Sequence, residues 1–458
     1  MMPVRSIALI VVFAAVLAVG HAAWAGEPDV AGGAVAVAGK AEEIARQFFA
    51  EADADKRAEL AGQFAAVAPK SVDDLRKLLR RAAAFPDVGF GVHRFETAPE
   101  GDVPAIRYVV SVPEGYSRDS VEGWPLVIGC HGTGGTGTRY LGSLANLLGD
   151  DLGKVILACP DAPYDGTYRF FPLGVTYPLH VLNDVRRRIN IDGNRVVLAG
   201  YSKGGYTAWA TVLFSPGEWG GAVPMACFPI TEAGRNGIAL YLENTATVPI
   251  QYHWGDQDIL EGQTEGINTF GRMTADEMKR LKAEKFEPLE YKGQGHGLKI
   301  QADAFRRFLA SARRDPFPAE FRMVFHHVWQ GRAFCVRATE ASGPDLDFRK
   351  LPPIRVGSPD QVQSAVMRFY RSRALELRVT VNRKTNAVVV RARNLKEIEV
   401  ALSPQQLDFS RPIRVSVNGR IALVRKPGID YGELLETARS TYDFERLVGA
   451  RATIPVGR

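Results

Sequence analysis

The stretch that decides the fold is Val196-Val197-Leu198-Ala199-Gly200-Tyr201-Ser202-Lys203-Gly204-Gly205. Its apolar start predicts a buried strand, the glycines around Ser202 predict a sharp turn, and the residues from Lys203 to Phe214 predict a helix. A serine at such a turn adopts a strained backbone conformation, and larger neighbours than glycine would clash. The hydroxyl would lie at the C-terminal edge of a sheet, before a helix N-terminus that favours an anion. The stretch therefore predicts a nucleophilic serine.

A serine hydroxyl is a weak nucleophile, and it needs a base that is itself oriented by a carboxylate. The loop Gly255-Asp256-Gln257-Asp258 ends one predicted strand, and Gly293-Gln294-Gly295-His296-Gly297 follows the next. Because the two loops come after successive strands in the order acid then histidine, we interpret Asp258 as the acid and His296 as the base. Asp256 is the alternative acid.

An upstream glycine-rich loop is the predicted anion-stabilising element. It is Cys130-His131-Gly132-Thr133-Gly134-Gly135, directly after a predicted strand. Backbone N–H groups in such a loop stabilise the negative charge that develops during acyl transfer. We expect the N–H groups of Lys203 and Thr133 to be the donors, with Gly134 as the alternative to Thr133, and we expect His131 to brace the loop. The sequence lacks the pattern of a phosphate-binding loop there.

Apolar strands alternate with helical patterns between residues 89 and 315, which predicts an α/β domain with a mostly parallel sheet covered on both faces. The predicted strands are 106–112, 125–130, 155–159, 195–199, 222–226, 248–254 and 288–291, and the predicted helices are 178–189, 203–214, 276–285 and 302–312. The alternation ends at Asp315-Pro316-Phe317-Pro318, a predicted domain boundary.

Two further segments flank this predicted catalytic domain. Residues 26–88 are predicted to be a helical N-terminal segment, because their apolar residues recur at helical spacing. Residues 316–458 are predicted to be a small β-rich accessory domain. Its signals are alternating strands at 375–381 and 387–393, a hairpin around Asn418-Gly419, and one late helix near 431–440.

The composition is that of a globular protein. The 458 residues are 46% hydrophobic and include 57 Lys+Arg against 51 Asp+Glu, so disorder, collagen and coiled coil are excluded. Residues 316–458 hold 24 basic and 14 acidic residues, which leaves 33 basic and 37 acidic residues in 1–315. Of the 24 basic residues 20 are scattered arginines, which favours a solvated surface over a site for an acidic polymer. The sequence has no alternating basic–aromatic pattern of the kind that predicts nucleic-acid binding.

The first 25 residues predict an export signal. Arg5 precedes the apolar run Ile7–Gly20, and Ala23-Trp24-Ala25 supplies small residues at the cleavage site. The predicted mature protein is extracytoplasmic, secreted or periplasmic, with no membrane span after cleavage. An uncleaved membrane anchor is the alternative.

The cysteines do not predict a metal site. They are expected to be small buried residues rather than disulfide partners, and none has zinc-site spacing. They are Cys130, Cys159, Cys227 and Cys335.

The motif set His-Gly-x-Gly-Gly, Gly-x-Ser-x-Gly-Gly, Gly-x-x-Asp and Gly-His-Gly resembles that of the alpha/beta hydrolase superfamily. Within it the chain is most similar to secreted bacterial hydrolases near the feruloyl and acetyl xylan esterases, polyhydroxybutyrate depolymerases and prolyl-oligopeptidase-like peptidases. Asn190–Arg195 and Gly220–Met225 add to this likeness, which covers roughly residues 100–313. The resemblance implies the alpha/beta hydrolase fold and a Ser-His-Asp mechanism that needs no metal and no cofactor.

These observations predict a secreted serine hydrolase that cleaves a small-molecule or polymer ester through an acyl-enzyme. A serine peptidase is the alternative, because the same machinery cleaves amides, and a non-catalytic polymer-binding relative is the alternative of another class. Tyr164, Tyr168 and Tyr201 are the predicted substrate contacts. Lys203 departs from the family, which often has an apolar or small residue there; its cation favours an anionic substrate or simply reaches solvent.

Overall fold

The computed structural model describes residues 30–101, 103–162, 173–259, 265–350 and 358–457. Its centre is an eight-stranded sheet. The strands are β1 (Gly91–Glu96), β2 (Arg107–Val112), β3 (Trp124–Cys130), β4 (Ile156–Pro160), β5 (Ile191–Tyr201), β6 (Gly221–Met225), β7 (Ile250–Gly255) and β8 (Phe286–Tyr291).

The strands lie in the order β1-β2-β4-β3-β5-β6-β7-β8. Strand β2 is antiparallel to both of its neighbours, and every other neighbouring pair is parallel. This order, with one reversed strand near the edge, is that of the alpha/beta hydrolase fold. The predicted fold class is therefore confirmed.

Helices cover both faces of the central sheet, and further helices precede and follow it along the described chain. They are α1 (Val30–Ala50), α2 (Ala54–Ala65), α3 (Val72–Ala82), α4 (Gly137–Leu148), α5 (Leu173–Arg188), α6 (Lys203–Phe214), α7 (Gly237–Tyr241), α8 (Ile267–Arg280), α9 (Ala302–Ser311), α10 (Pro359–Arg373) and α11 (Tyr431–Thr441). Buried residues of α4 and α9 share one core with the sheet, and those of α5, α6 and α8 share the core on the opposite face. No described helix is both long and apolar enough to cross a membrane.

The sequence-based element boundaries were wrong in several places. Strand β1 and helix α4 were not predicted, and α8 covers 267–280 instead of 276–285. Helix α4 buries only Gly137, Leu144 and Leu148, so its apolar periodicity is weak. Lys282, directly beyond α8, has a φ of 54°. That left-handed conformation is incompatible with a continuing helix.

The C-terminal part is β-rich, as predicted. Its strands are β9 (Glu320–Phe325), β10 (Arg332–Ala333), β11 (Val336–Ala341), β12 (Leu375–Asn382), β13 (Ala387–Arg393), β14 (Leu395–Leu402), β15 (Ile413–Val417), β16 (Arg420–Arg425) and β17 (Ala450–Pro455). They form a five-stranded sheet, β16-β15-β13-β12-β9, and a four-stranded sheet, β10-β11-β14-β17. Asn418 and Gly419 join β15 to β16 with φ values of 50° and 82°, as a two-residue hairpin turn requires. One late helix was predicted in this part; the structure has α11 there and also α10, which was not predicted.

The chain ends and the β-rich part pack closely on the α/β sheet. Helices α1 to α3 share a core with α11, and Arg80 of α3 donates to the backbone of Ile191 and to Glu445. Asn244 donates to Val324 of β9 and accepts a hydrogen bond from the same residue. Because one core continues from the α/β sheet into the five-stranded sheet, the predicted boundary at 315–318 separates sheets without separating cores.

Candidate active site

Ser202 lies at the turn between β5 and α6, with a φ of 53° and a ψ of −118°. A non-glycine residue rarely adopts this conformation, and strain of this kind concentrates at functional sites. The surrounding glycines are required sterically: a Cβ on Gly200 would overlap the carbonyl oxygen of Gly204, and one on Gly204 would overlap that of Cys130. The strand–turn–helix expected around Ser202 is present.

The structure brings the three predicted triad residues together from three separate loops. The Nε2 atom of His296 lies 2.9 Å from the Oγ of Ser202, and its Nδ1 lies 3.0 Å from the Oδ2 of Asp258. Asp258 is buried, whereas about half of the His296 side chain is exposed. The hydrogen bond to Asp258 raises the pKa of His296, against the opposing effect of partial burial.

Asp256, the alternative acid, has another function. Its carboxylate accepts a hydrogen bond of 2.7 Å from the backbone N–H of Gly293, at the start of the loop that carries His296. The backbone N–H of Gln257 donates to the carbonyl of Gln294 in the same loop. These bonds fasten the loop after β7, which carries Asp258, to the loop after β8, which carries His296.

Tyr201 also holds the His296 loop, a contact that the sequence did not indicate. Its hydroxyl donates to the carbonyl oxygen of His296 and accepts from the backbone N–H of Leu298 at 2.9 Å. Burial raises the pKa of Tyr201, so the hydroxyl keeps its proton. The residue next to the serine thus positions the histidine.

The glycine-rich loop after β3 passes directly beside the serine. A Cβ on Gly132 would lie 3.3 Å from the Cβ of Ser202. Gly135 closes a turn by donating to the carbonyl of Gly132, and Gly134 within that turn has a φ of 69°. Thr133 occupies the exposed corner of this turn.

The N–H groups expected to bind an oxyanion are available. No backbone carbonyl in the described ranges accepts from the N–H of Lys203 or of Thr133, and the same holds for Gly134. His131 fixes the loop: its Nε2 accepts from the N–H of Ala162 at 3.0 Å. Its Nδ1 therefore carries the proton and donates to the carbonyl of Gly132 at 2.7 Å.

A cavity of about 540 Å³ lies between the glycine-rich loop and α4. Gly132 and Tyr201, which adjoin Ser202, line it, whereas Ser202 and His296 do not. Its wall is mostly apolar, with side chains of Tyr140, Leu144, Leu147, Met225, Leu298 and Ile300. Arg139 and Asn146 add polar groups, and Tyr201 forms the side nearest the serine. The sequence did not indicate this cavity, because α4 was not predicted.

The remaining residues singled out in the sequence add no group to this site in the described part of the chain. Tyr164 and Tyr168 lie outside the described residues, as does the predicted export signal. The four cysteines are buried and form no disulfide. Within the described ranges, no group of three or more His, Cys, Asp or Glu side chains could hold a metal ion.

No protein-family model matches the sequence, and no curated protein matches it. Several solved structures align with part of the chain. A thermostable esterase is 17% identical at a TM-score of 0.40, over 49% of this chain and 63% of that one. A ferulic acid esterase, 14% identical at a TM-score of 0.40, aligns over 49% of this chain and 99% of its own. The acetyl xylan esterase from Aspergillus awamori, 13% identical at a TM-score of 0.37, aligns over 48% of this chain and 100% of its own.

Each of these alignments covers about half of the chain. The order of the eight strands and the turn at Ser202 identify the fold independently of any neighbour. The chain has the alpha/beta hydrolase fold, and it carries a serine, a histidine and an aspartate in hydrogen-bonded sequence where that fold places its nucleophile.

Proposed function

We propose that the protein is a serine hydrolase that cleaves carboxylic esters through an acyl-enzyme. The observation that carries the proposal is the continuous hydrogen-bonded series from Ser202 through His296 to Asp258. Nucleophilic catalysis by serine requires this order of groups. The unoccupied N–H donors beside Ser202 supply the second requirement, a site for the oxyanion.

In the first half of the reaction, the Oγ of Ser202 attacks the ester carbonyl carbon while its proton passes to Nε2 of His296. The backbone N–H groups of Lys203 and Thr133 stabilise the resulting oxyanion. When the bond to the alcohol oxygen breaks, His296 donates its proton to that oxygen, and the alcohol leaves. Asp258 holds the imidazole in the required tautomer and stabilises the imidazolium.

In the second half, a water molecule attacks the acyl group on Ser202. His296 now accepts a proton from the water, and the collapse of the second tetrahedral intermediate returns the proton to Ser202. The carboxylic acid is released and the free enzyme is restored.

The substrate is an ester of a small molecule or of a polymer with an apolar part. The cavity between the glycine-rich loop and α4 has the size of an ordinary small-molecule site and a mainly apolar wall. We assign the acyl or alcohol portion of the substrate to it. The protein would act outside the cytoplasm, because its first 25 residues have the pattern of an export signal.

Ester and amide hydrolysis are distinguished by matched substrates. The purified protein is assayed with short-chain aryl esters and with aminoacyl anilides, beside Ser202→Ala. We expect ester turnover that falls about a thousandfold or more in the variant, with anilides untouched. Anilide turnover at a comparable rate would favour a peptidase. A lack of turnover of both substrates would contradict catalysis and favour the polymer-binding alternative.

A further inference from the structure

The described arginines of the β-rich part are not all scattered. Strands β10 and β11 form a tight hairpin in which Arg332 and Arg337 stand directly opposite each other. Directly opposite residues of an antiparallel pair point to the same face, and like charges there are destabilising. The fold therefore places two guanidinium groups together at a cost.

These two arginines line a cleft of about 270 Å³ between the four-stranded sheet and α11. Arg446 and Arg451 line the same cleft, and Glu399 is its one carboxylate among the described residues. Arg332 lines the cleft and is exposed to solvent. A cavity of this size accommodates a small polar molecule.

The ion pairs around the cleft do not balance. Arg337 and Arg451 share Glu399, and Arg451 also pairs with Glu433. Beneath them, three guanidinium groups share two carboxylates; these are Arg186, Arg314 and Arg446 with Glu218 and Asp443. Arg332 has no ion-pair partner in the described part of the chain.

Together with Arg332, these two groups of ion pairs contain six guanidinium groups and four carboxylates, an excess of two positive charges around the cleft. Arginine does not lose its proton in proteins, so the exposed guanidinium of Arg332 keeps its positive charge beside those of its neighbours. Burial and the neighbouring guanidinium groups of Arg446, Arg337 and Arg451 lower the pKa of Arg332, although Glu218 opposes them. An anion in the cleft would relieve this imbalance.

We propose that this cleft binds a phosphate group through Arg332 and Arg337. A phosphate carries close to two negative charges at neutral pH, which matches the excess. The planar guanidinium fork binds phosphate oxygens in pairs. The helix hydroxyls at the cleft contribute no donors, since Ser440 and Thr441 already donate to the carbonyl of Thr437.

The site is tested by titrating inorganic phosphate and glycerol phosphate at low millimolar concentration and constant ionic strength, with acetate as the singly charged comparison. Binding is measured calorimetrically on the full protein and on Arg332→Gln. Arg414→Gln is the matched control, because Arg414 is also an exposed strand arginine without an ion pair among the described residues.

We expect wild type and Arg414→Gln to bind phosphate, and Arg332→Gln to bind it roughly tenfold to a hundredfold more weakly, the effect of losing charged hydrogen bonds. Without phosphate, Arg332→Gln should unfold at the same or a higher temperature, because a repulsive charge is gone. Tighter binding of glycerol phosphate would assign the site to a phosphorylated small molecule, and equal binding to the free ion.

Any one of the following results would overturn the proposal. The first is no phosphate binding by the wild type. The second is equal weakening of phosphate binding in both variants, or acetate binding as tight as that of phosphate. The third is a lower unfolding temperature of Arg332→Gln together with unchanged phosphate binding, which would make Arg332 a structural residue.

Discussion

The hydroxyl of Tyr201 donates a hydrogen bond to the backbone carbonyl of His296. The residue beside the nucleophile therefore fixes the loop that carries the base. Since the same hydroxyl also accepts from the N–H of Leu298, it holds the backbone from the histidine to the second residue beyond it. The separation of Ser202 and His296 depends on this one group as well as on the loop glycines.

Replacing Tyr201 by Phe should lower kcat while leaving KM nearly unchanged. The ring that lines the cavity remains, and only the hydrogen bonds to the His296 loop are lost, so a decrease of about three- to tenfold is expected. Steady-state kinetics on an aryl ester measures it. Tyr116→Phe is the matched control, because the Tyr116 hydroxyl accepts a backbone hydrogen bond from Asn190 far from the triad. Equal kinetic effects of both changes would refute a positioning role.

The two aspartates after β7 should differ strongly in their effect on catalysis. Asp258→Asn removes the carboxylate that orients His296, and kcat/KM should fall roughly 10³- to 10⁴-fold. Asp256→Asn keeps a side-chain oxygen that can accept from the N–H of Gly293 and loses only the negative charge, so its decrease in kcat/KM should stay within about tenfold. Comparing kcat/KM of the two variants decides the assignment; a larger loss for Asp256→Asn would reverse it.

The activity should depend on pH through His296. Because the Asp258 hydrogen bond raises the pKa of His296, kcat/KM should rise with a midpoint above the ordinary histidine value of about 6.5 and then level off. The residual activity of Asp258→Asn should have a midpoint at lower pH. A pH profile that is the same in the variant would show that another group titrates.

His327 joins the β-rich part to the segment after β6. Its Nε2 lies 2.6 Å from Glu232, and its Nδ1 lies 3.2 Å from Asp345. The bond to Glu232, aided by Asp345, raises the pKa of His327 against the effect of burial. The protonated imidazole is therefore favoured in the folded state.

Because the pKa of His327 is raised in the folded state, the direction in which its contribution to stability changes with pH is fixed. The stabilisation is complete below the unfolded pKa of about 6.5 and is lost as the pH rises through the folded pKa. His327→Gln should therefore reduce the free energy of unfolding by about 1 kcal/mol at pH 5.5, and by less at pH 8.5. Denaturant unfolding at both pH values measures this, with His93→Gln on the exposed strand β1 as control. A loss that grows with pH would contradict the ion pairs.

The triad could be predicted from the sequence because each member lies in a short glycine-rich loop directly after a strand. Strand ends and glycine turns are local signals, so Ser202, Asp258 and His296 stand out without knowledge of the fold. The sheet class followed equally from the alternation of apolar strands and helices. The two-residue hairpin at Asn418-Gly419 is another local signal.

What could not be predicted depends on distant segments. The Tyr201 hydroxyl and the His296 carbonyl are 95 residues apart in the chain. Arg332 and Arg446 look scattered in sequence, and only the packing of β10 beside α11 places them on one cleft. Helix α4 buries too few side chains to show a clear period, and the cavity that it lines was therefore missed.

The central claim is that Ser202 is the nucleophile, and covalent labelling tests it most directly. The protein is treated with an organophosphorus fluoride, which phosphonylates an activated serine, and its intact mass is measured beside that of Ser202→Ala. We predict one phosphonyl adduct on the wild type, located at Ser202, with ester hydrolysis lost in proportion. No adduct is expected on the variant. Labelling of both proteins alike, or ester hydrolysis that survives complete labelling, would contradict the mechanism.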